Sequence, residues 1–132
     1  MLNPSFKNIL LYLFLKYIIA YIVFMISTNN FKLLEINNIK NPGDLFYYLW
    51  IVLFIPVVNM LFFSVPFFLS FRVKKTIYFF VIIGVITFLE YLTYVYFTSQ
   101  KHIDFRGVII EIIGLILFYF LFFKKINKYI NA

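Results

Sequence analysis

Residues 76–98, TIYFFVIIGVITFLEYLTYVYFT, decide the fold class: the stretch carries a single charged side chain, Glu90. A hydrocarbon core about 30 Å thick needs about 20 consecutive apolar residues in a helix, and this run supplies them. Three more runs of the same kind accompany it, at 9–27, 45–70 and 107–123. None shows the alternation over about ten residues that marks a membrane barrel strand. The expected fold is therefore all-α: a polytopic integral membrane protein, a bundle of four transmembrane helices forming one membrane domain over residues 1–132.

Composition agrees with that reading. Hydrophobic residues make up 64% of the chain, against about 45–50% in soluble domains. Charged residues make up 13%, about half the usual share of about 25%. A soluble domain this small leaves much of its surface in water and has nowhere to hide so much apolar area. There is no cysteine, which excludes disulfides, thiolate nucleophiles and cysteine metal sites. The net charge of +7 comes mostly from short segments beside the apolar runs. It is read as anchoring against anionic lipid rather than as nucleic-acid binding. Abundant Phe, Ile, Asn, Lys and Tyr reflect A/T-rich codons, so the expected setting is the inner membrane of a low-GC bacterium.

The first run is read as a retained helix. Lys16 interrupts it, and Ser27-Thr28-Asn29-Asn30 does not resemble a small-residue cleavage site. With four spans, both termini and the loop between the second and third spans share one side. That side holds Lys7, Arg72, Lys74, Lys75, Lys124, Lys125 and Lys128, and the other holds Lys32, Lys40, Lys101 and Arg106. The excess places both termini in the cytoplasm. Between the first two spans, the polar stretch 28–44 has apolar residues of no clear period. It ends in Asn41-Pro42-Gly43-Asp44, expected to be a turn with Asp44 as the cap of the next helix. Asp104 is expected to cap the last helix in the same way.

Three ionisable residues fall inside the runs: Lys16, Glu90 and Glu111. Each such group costs about 3 kcal/mol to place in the membrane, so these residues face the bundle interior or water and commonly pair. Lys16 lies about 12 Å from one end of its run, Glu90 about 12 Å from the opposite end of its own, and Glu111 about 6–8 Å below that same surface. Helical spacing gives each a stripe: Tyr12, Lys16 and Ala20; Thr87, Glu90, Thr93 and Tyr94; and Gly107, Glu111 and Gly114. The glycines permit close approach of another helix. The stripes are expected to face one another, with Lys16 pairing one acid. The other acid is then short of a cation unless Arg106 serves Glu111. Two plainer readings stand beside this one: Glu111 meets water at the interface, and Lys16 snorkels to the headgroups.

In the second run, Pro56 and Pro66 each remove a backbone donor and release a carbonyl one turn earlier. Asn59 shares their face. A kinked helix with free carbonyls and an amide can line a cavity or bind ions, and it can equally be a packing kink. His102, in Lys101-His102-Ile103-Asp104-Phe105-Arg106, is read as belonging to a polar surface loop. Trp50, Tyr47, Tyr48 and Tyr129 are read as interfacial belt residues.

Four helices in a short chain with a membrane-embedded carboxylate resemble the layout of the small multidrug transporters. That family carries its essential acid in the first helix, where this chain has Lys16, so no site is carried over. The sequence has no zinc-protease motif, no nucleophile constellation and no paired intramembrane aspartates, so an enzyme is not expected. No catalytic, metal or cofactor residue is assigned and no cofactor is expected. The expected function is a non-enzymatic accessory subunit or oligomeric component of a membrane complex, with the bilayer and a protein partner or further copies of itself as partners. The alternative is a small proton- or cation-coupled transporter or channel.

Overall fold

A computed structural model of the chain describes residues 2–28, 40–98 and 105–131. Every regular element among them is helical. In order these are α1 (Phe6–Thr28), α2 (Pro42–Leu49), a π-helical segment (Trp50–Phe54), α3 (Ile55–Ser70), α4 (Thr76–Thr98), α5 (Phe105–Leu121) and α6 (Phe123–Ile130). His102, Asp104 and most of the first loop lie outside the described residues.

Helix starts differ from expectation where a cap sets them. α1 begins before the apolar run because the Ser5 hydroxyl accepts the Asn8 amide at 3.3 Å, satisfying one of the free donors of the first turn. At α2 the cap is Asn41 rather than Asp44. The Asn41 side chain accepts the Asp44 amide at 2.8 Å, and Pro42 opens the helix, where its missing N–H costs nothing. Asp44 instead reaches back and accepts the amide of Lys40, the residue before the cap, at 3.3 Å, a bond that resembles a capping box shifted by one residue.

The prolines act unequally. Pro56 cannot donate to the turn before it, and that turn is the π segment, closed by the Ile55 amide bonding the Trp50 carbonyl. Pro66 sits within α3 without ending it. The chain is thus helical without interruption from Pro42 to Ser70, changing pitch once in the middle.

The long helices close into a ring. α1 packs on α3 and α5, and α4 packs on the same two, so α1 and α4 stand on a diagonal. Buried residues recur every three or four positions, as in Ile9-Tyr12-Leu13-Lys16 on α1 and Phe79-Ile83-Ile86-Glu90 on α4. This is the stripe that a helix presents to its neighbours. Rings fill one half of the core: Tyr12 meets Phe67, Phe118 and Phe122, and Phe71 meets Phe79, Phe118 and Phe122. The opposite sides are large and apolar, with Leu61, Phe62, Ile77 and Phe120 among the exposed residues.

Both chain ends and the α3–α4 turn gather at one end of the ring. The Leu2 amide bonds the Leu121 carbonyl at 2.7 Å. The Tyr129 hydroxyl is shared between the carbonyls of Phe71 (3.0 Å) and Val73 (2.6 Å), and Thr76 Oγ1 donates to the Tyr129 carbonyl at 2.9 Å. These bonds hold α6, which leaves α5 at 91°. Tyr129 is therefore a buried dock and not a belt residue. Trp50 stacks on Phe54 (4.5 Å between centroids) and sets an edge against Phe97 of α4.

Two helices are long and apolar enough to cross a membrane, Phe6–Ser27 and Thr76–Phe97. A third counts if the bent pair of α5 and α6 is one span, and α3 alone is shorter. By length and composition, the all-helical fold and these apolar helices fit a helical membrane protein.

Candidate functional site

Lys16, Glu90 and Glu111 meet inside the ring. α1 turns Lys16 inward, one turn beyond Tyr12 on the same stripe. Its ammonium donates to Glu90 Oε2 across the diagonal and to Glu111 Oε2 at 2.7 Å. Lys16 and Glu90 are each 2% exposed and Glu111 is 8% exposed. Neither plainer reading describes this arrangement: Lys16 does not run to the headgroups, and Glu111 is held by an ammonium. Nor does Lys16 choose one acid, since it bridges both.

The surroundings explain how the cluster is positioned. The Tyr17 hydroxyl donates to Glu90 Oε1 at 3.0 Å. Tyr12 donates to the Gly114 carbonyl at 3.2 Å, joining α1 to α5 beside Glu111. Gly114 also makes the room for Lys16. A Cβ there would lie 2.7 Å from Lys16 Cε and 3.0 Å from Cδ. The lysine stem occupies the space that any other residue would fill, and its head is tied to two carboxylates. Gly107, on the other side of Glu111 along the same stripe, makes room for α4 instead: a Cβ would fall 2.8 Å from the Tyr91 ring and 2.9 Å from Tyr94. Gly114→Ala is therefore expected to push the lysine from its seat and cost about 1–3 kcal/mol, the range for overfilling a packed core. Thermal unfolding in mild detergent measures it, and an unchanged midpoint would show that the stem has slack.

The expected polar stripe on α4 does not form as a unit. Glu90 lies on the buried stripe, but Thr87 Oγ1 donates to the Ile83 carbonyl (2.7 Å) and Thr93 Oγ1 to the Leu89 carbonyl (2.8 Å) of their own helix. Threonine in an apolar helix can satisfy its hydroxyl on the preceding turn without any partner helix. Tyr17 is the member that stripe reasoning missed. It sits next to Lys16 and so points to another side of α1, and the signal for it is a mid-span phenol that needs an acceptor when buried.

Asn59 is the remaining polar candidate. It is 3% exposed, and its Oδ1 has no hydrogen-bond partner among the described residues. It lies one turn beyond Ile55 and the π segment. The touching rings of Phe71 and Phe79 fix its height: Asn59 is twelve residues from the first and Glu90 eleven from the second. Both therefore sit about 17 Å farther along the bundle. An orphaned buried carbonyl oxygen is a group that water or a ligand commonly satisfies.

Chemically, the cluster is one ammonium held between two carboxylates, with the Tyr17 hydroxyl beside it. Among the described residues no group of three or more His, Cys, Asp or Glu side chains gathers to hold a metal ion. No family model matches the sequence, and neither the curated proteins nor the solved structures contain a match to it.

Proposed function

We propose that this chain is a non-enzymatic membrane component, an accessory subunit or the repeating unit of a small oligomer. In this reading four helical passes cross the bilayer: α1, the continuous run 42–70, α4 and α5. The observation that carries it is the closure of the charged cluster. Lys16, Glu90 and Glu111, the charged residues buried within the passes, bond one another, so the set ties α1, α4 and α5 together. Such a tie fixes which helices pack and in what register. The exposed apolar sides then face lipid or the helices of a partner.

Both termini lie in the cytoplasm in this reading. With four passes, the sequence assigns seven basic residues to the side of the termini and the α3–α4 turn and four to the other two loops, and basic residues in short flanks are retained on the cytoplasmic side. Reporter fusions after Ala132 and near Asn38 are expected to report opposite sides, cytoplasmic at Ala132. A cytoplasmic signal from the Asn38 fusion overturns the orientation. The function itself is tested by purification in mild detergent and mass determination of the intact particle. A stoichiometric second polypeptide or a defined homo-oligomer is expected, and a monodisperse monomer contradicts the proposal.

One observation favours a second reading, a small cation- or proton-coupled transporter. Asn59 offers an unpartnered carbonyl oxygen beside a π segment, at the height of Glu90. Broken helical pitch with free oxygens is how some transporters build an ion site. Uptake of a labelled cation into proteoliposomes, lost on Asn59→Leu, would bring that reading forward.

A further inference from the structure

A second site lies at the basic end of the bundle. The α3–α4 turn and α6 enclose a cleft of about 300 Å³ lined by Phe71, Arg72, Val73, Lys74, Lys125, Lys128 and Tyr129. Four of the seven are cations, from two elements far apart in sequence. Tyr129 is fixed in this lining: its hydroxyl is taken up by the Phe71 and Val73 carbonyls and its ring stacks on Phe79 at 4.2 Å. Two of the four cations lie over rings, the Arg72 guanidinium 4.7 Å from the Phe68 centroid and the Lys125 ammonium 5.9 Å from that of Tyr129. Nothing among the described residues neutralises them. The described acids are Asp44, at the start of α2, and Glu90 and Glu111, both held by Lys16.

The position of the cleft narrows its ligand. α6 turns 91° from α5, buries Ile126 and Tyr129 against the bundle, and leaves Lys124 and Lys128 exposed. A helix so divided lies along a membrane surface with its basic side at headgroup depth. Basic pockets at that depth recognise lipid phosphates. Four cations around one cleft match more than the single negative charge of one phosphodiester.

We propose that this cleft binds a headgroup carrying two phosphates, supplied by an anionic lipid of the surrounding leaflet. Arg72 takes one phosphate through its planar fork of donors, while Lys74, Lys125 and Lys128 act as point charges around both. The proposal rests on the membrane reading above. Its consequence is that lipid binding locks α6 onto the α3–α4 turn, the two elements that Tyr129 already joins.

The test uses the full chain purified in mild detergent and titrated with cardiolipin, phosphatidylglycerol, phosphatidylcholine or inorganic pyrophosphate. Binding is read by native mass spectrometry and by the shift in unfolding temperature. One cardiolipin is expected per chain, bound more tightly than phosphatidylglycerol, with no shift from phosphatidylcholine. Each of Lys125→Gln and Lys128→Gln is expected to weaken it about fivefold, near the share of one surface cation, and added salt weakens it further. Lys75→Gln, at the same end but outside the lining, is the control and is expected to change nothing. Equal losses from Lys75→Gln and Lys125→Gln overturn the site, leaving a diffuse positive surface. Saturable pyrophosphate binding with no cardiolipin binding refutes the lipid source. Unfolding temperatures without lipid show whether each variant is intact. Alkaline extraction of native membranes tests the underlying reading separately. A chain that resists extraction but shows no cleft-dependent binding refutes this site alone, and a chain released by alkali refutes the membrane reading.

Discussion

Lys16→Leu is expected to remove about 3–5 kcal/mol of stability, the usual cost of taking one partner out of a buried ion pair. The loss falls at the upper end of that range because one ammonium serves two carboxylates, Glu90 and Glu111, both nearly sealed from solvent. Leucine fills some of the space beside Gly114, so a cavity contributes little and the uncompensated acids contribute most. Denaturant unfolding in detergent and the steady-state amount in membranes are the measurements. The triple variant Lys16→Leu, Glu90→Gln, Glu111→Gln is the decisive companion. It leaves no charge in the core, and neutral replacements of buried ion groups are often tolerated. It is expected to recover most of the loss. A single variant as stable as the native chain, or a triple variant no better than the single, would show that the cluster does not carry the bundle.

How far the sequence reveals this arrangement depends on the kind of signal. The runs at 9–27, 76–98 and 107–123 are legible because a helix that buries its backbone needs a long apolar stretch, and each lies within or against α1, α4 and α5. Lys16, Glu90 and Glu111 stand out because charge inside such a run is costly, and helical spacing puts Glu111 beside Gly114 correctly. The diagonal reach of Lys16 to Glu90 is not legible: it depends on α3 and α5 separating α1 from α4, and period says nothing about helix order. Pro56 announces a disturbance but not its form, since a lost donor can end as a kink or as a π turn. α6 was hidden for a different reason. Its residues, Phe123–Ile130, mix Lys with Phe, Ile and Tyr, and in the sequence they supply only a basic flank to the fourth run and a tyrosine expected at the interface. Only the Tyr129 bonds to the α3–α4 turn show that they form a docked helix.

Glu90→Gln and Glu111→Gln are expected to be mild alone and severe together. The native cluster has two carboxylates for one ammonium. Replacing either acid by its amide leaves one charge of each sign, and the amide oxygen can still accept from Lys16. In Glu90→Gln the Tyr17 hydroxyl keeps a partner too, because a phenol oxygen can accept from the amide as readily as donate. Each single change is expected to stay within about 1 kcal/mol of the native chain, the scale of one neutral hydrogen bond. The double change leaves an ammonium 2% exposed with only neutral acceptors around it. It is expected to cost about 3–5 kcal/mol, as for any buried charge stripped of its counterion. An additive result, with the double equal to the sum of two small losses, would mean that Lys16 escapes to the surface when released, and the tie would then be dispensable. The same single variants separate structure from transport. If the cluster is only a tie, proteoliposomes holding the native chain or Glu90→Gln keep an imposed pH gradient as long as empty vesicles do. A gradient that collapses with the native chain and persists with the folded Glu90→Gln variant would move Glu90 from a structural role to a proton-carrying one, because the amide keeps the shape of the site and removes only its capacity to take up and release a proton.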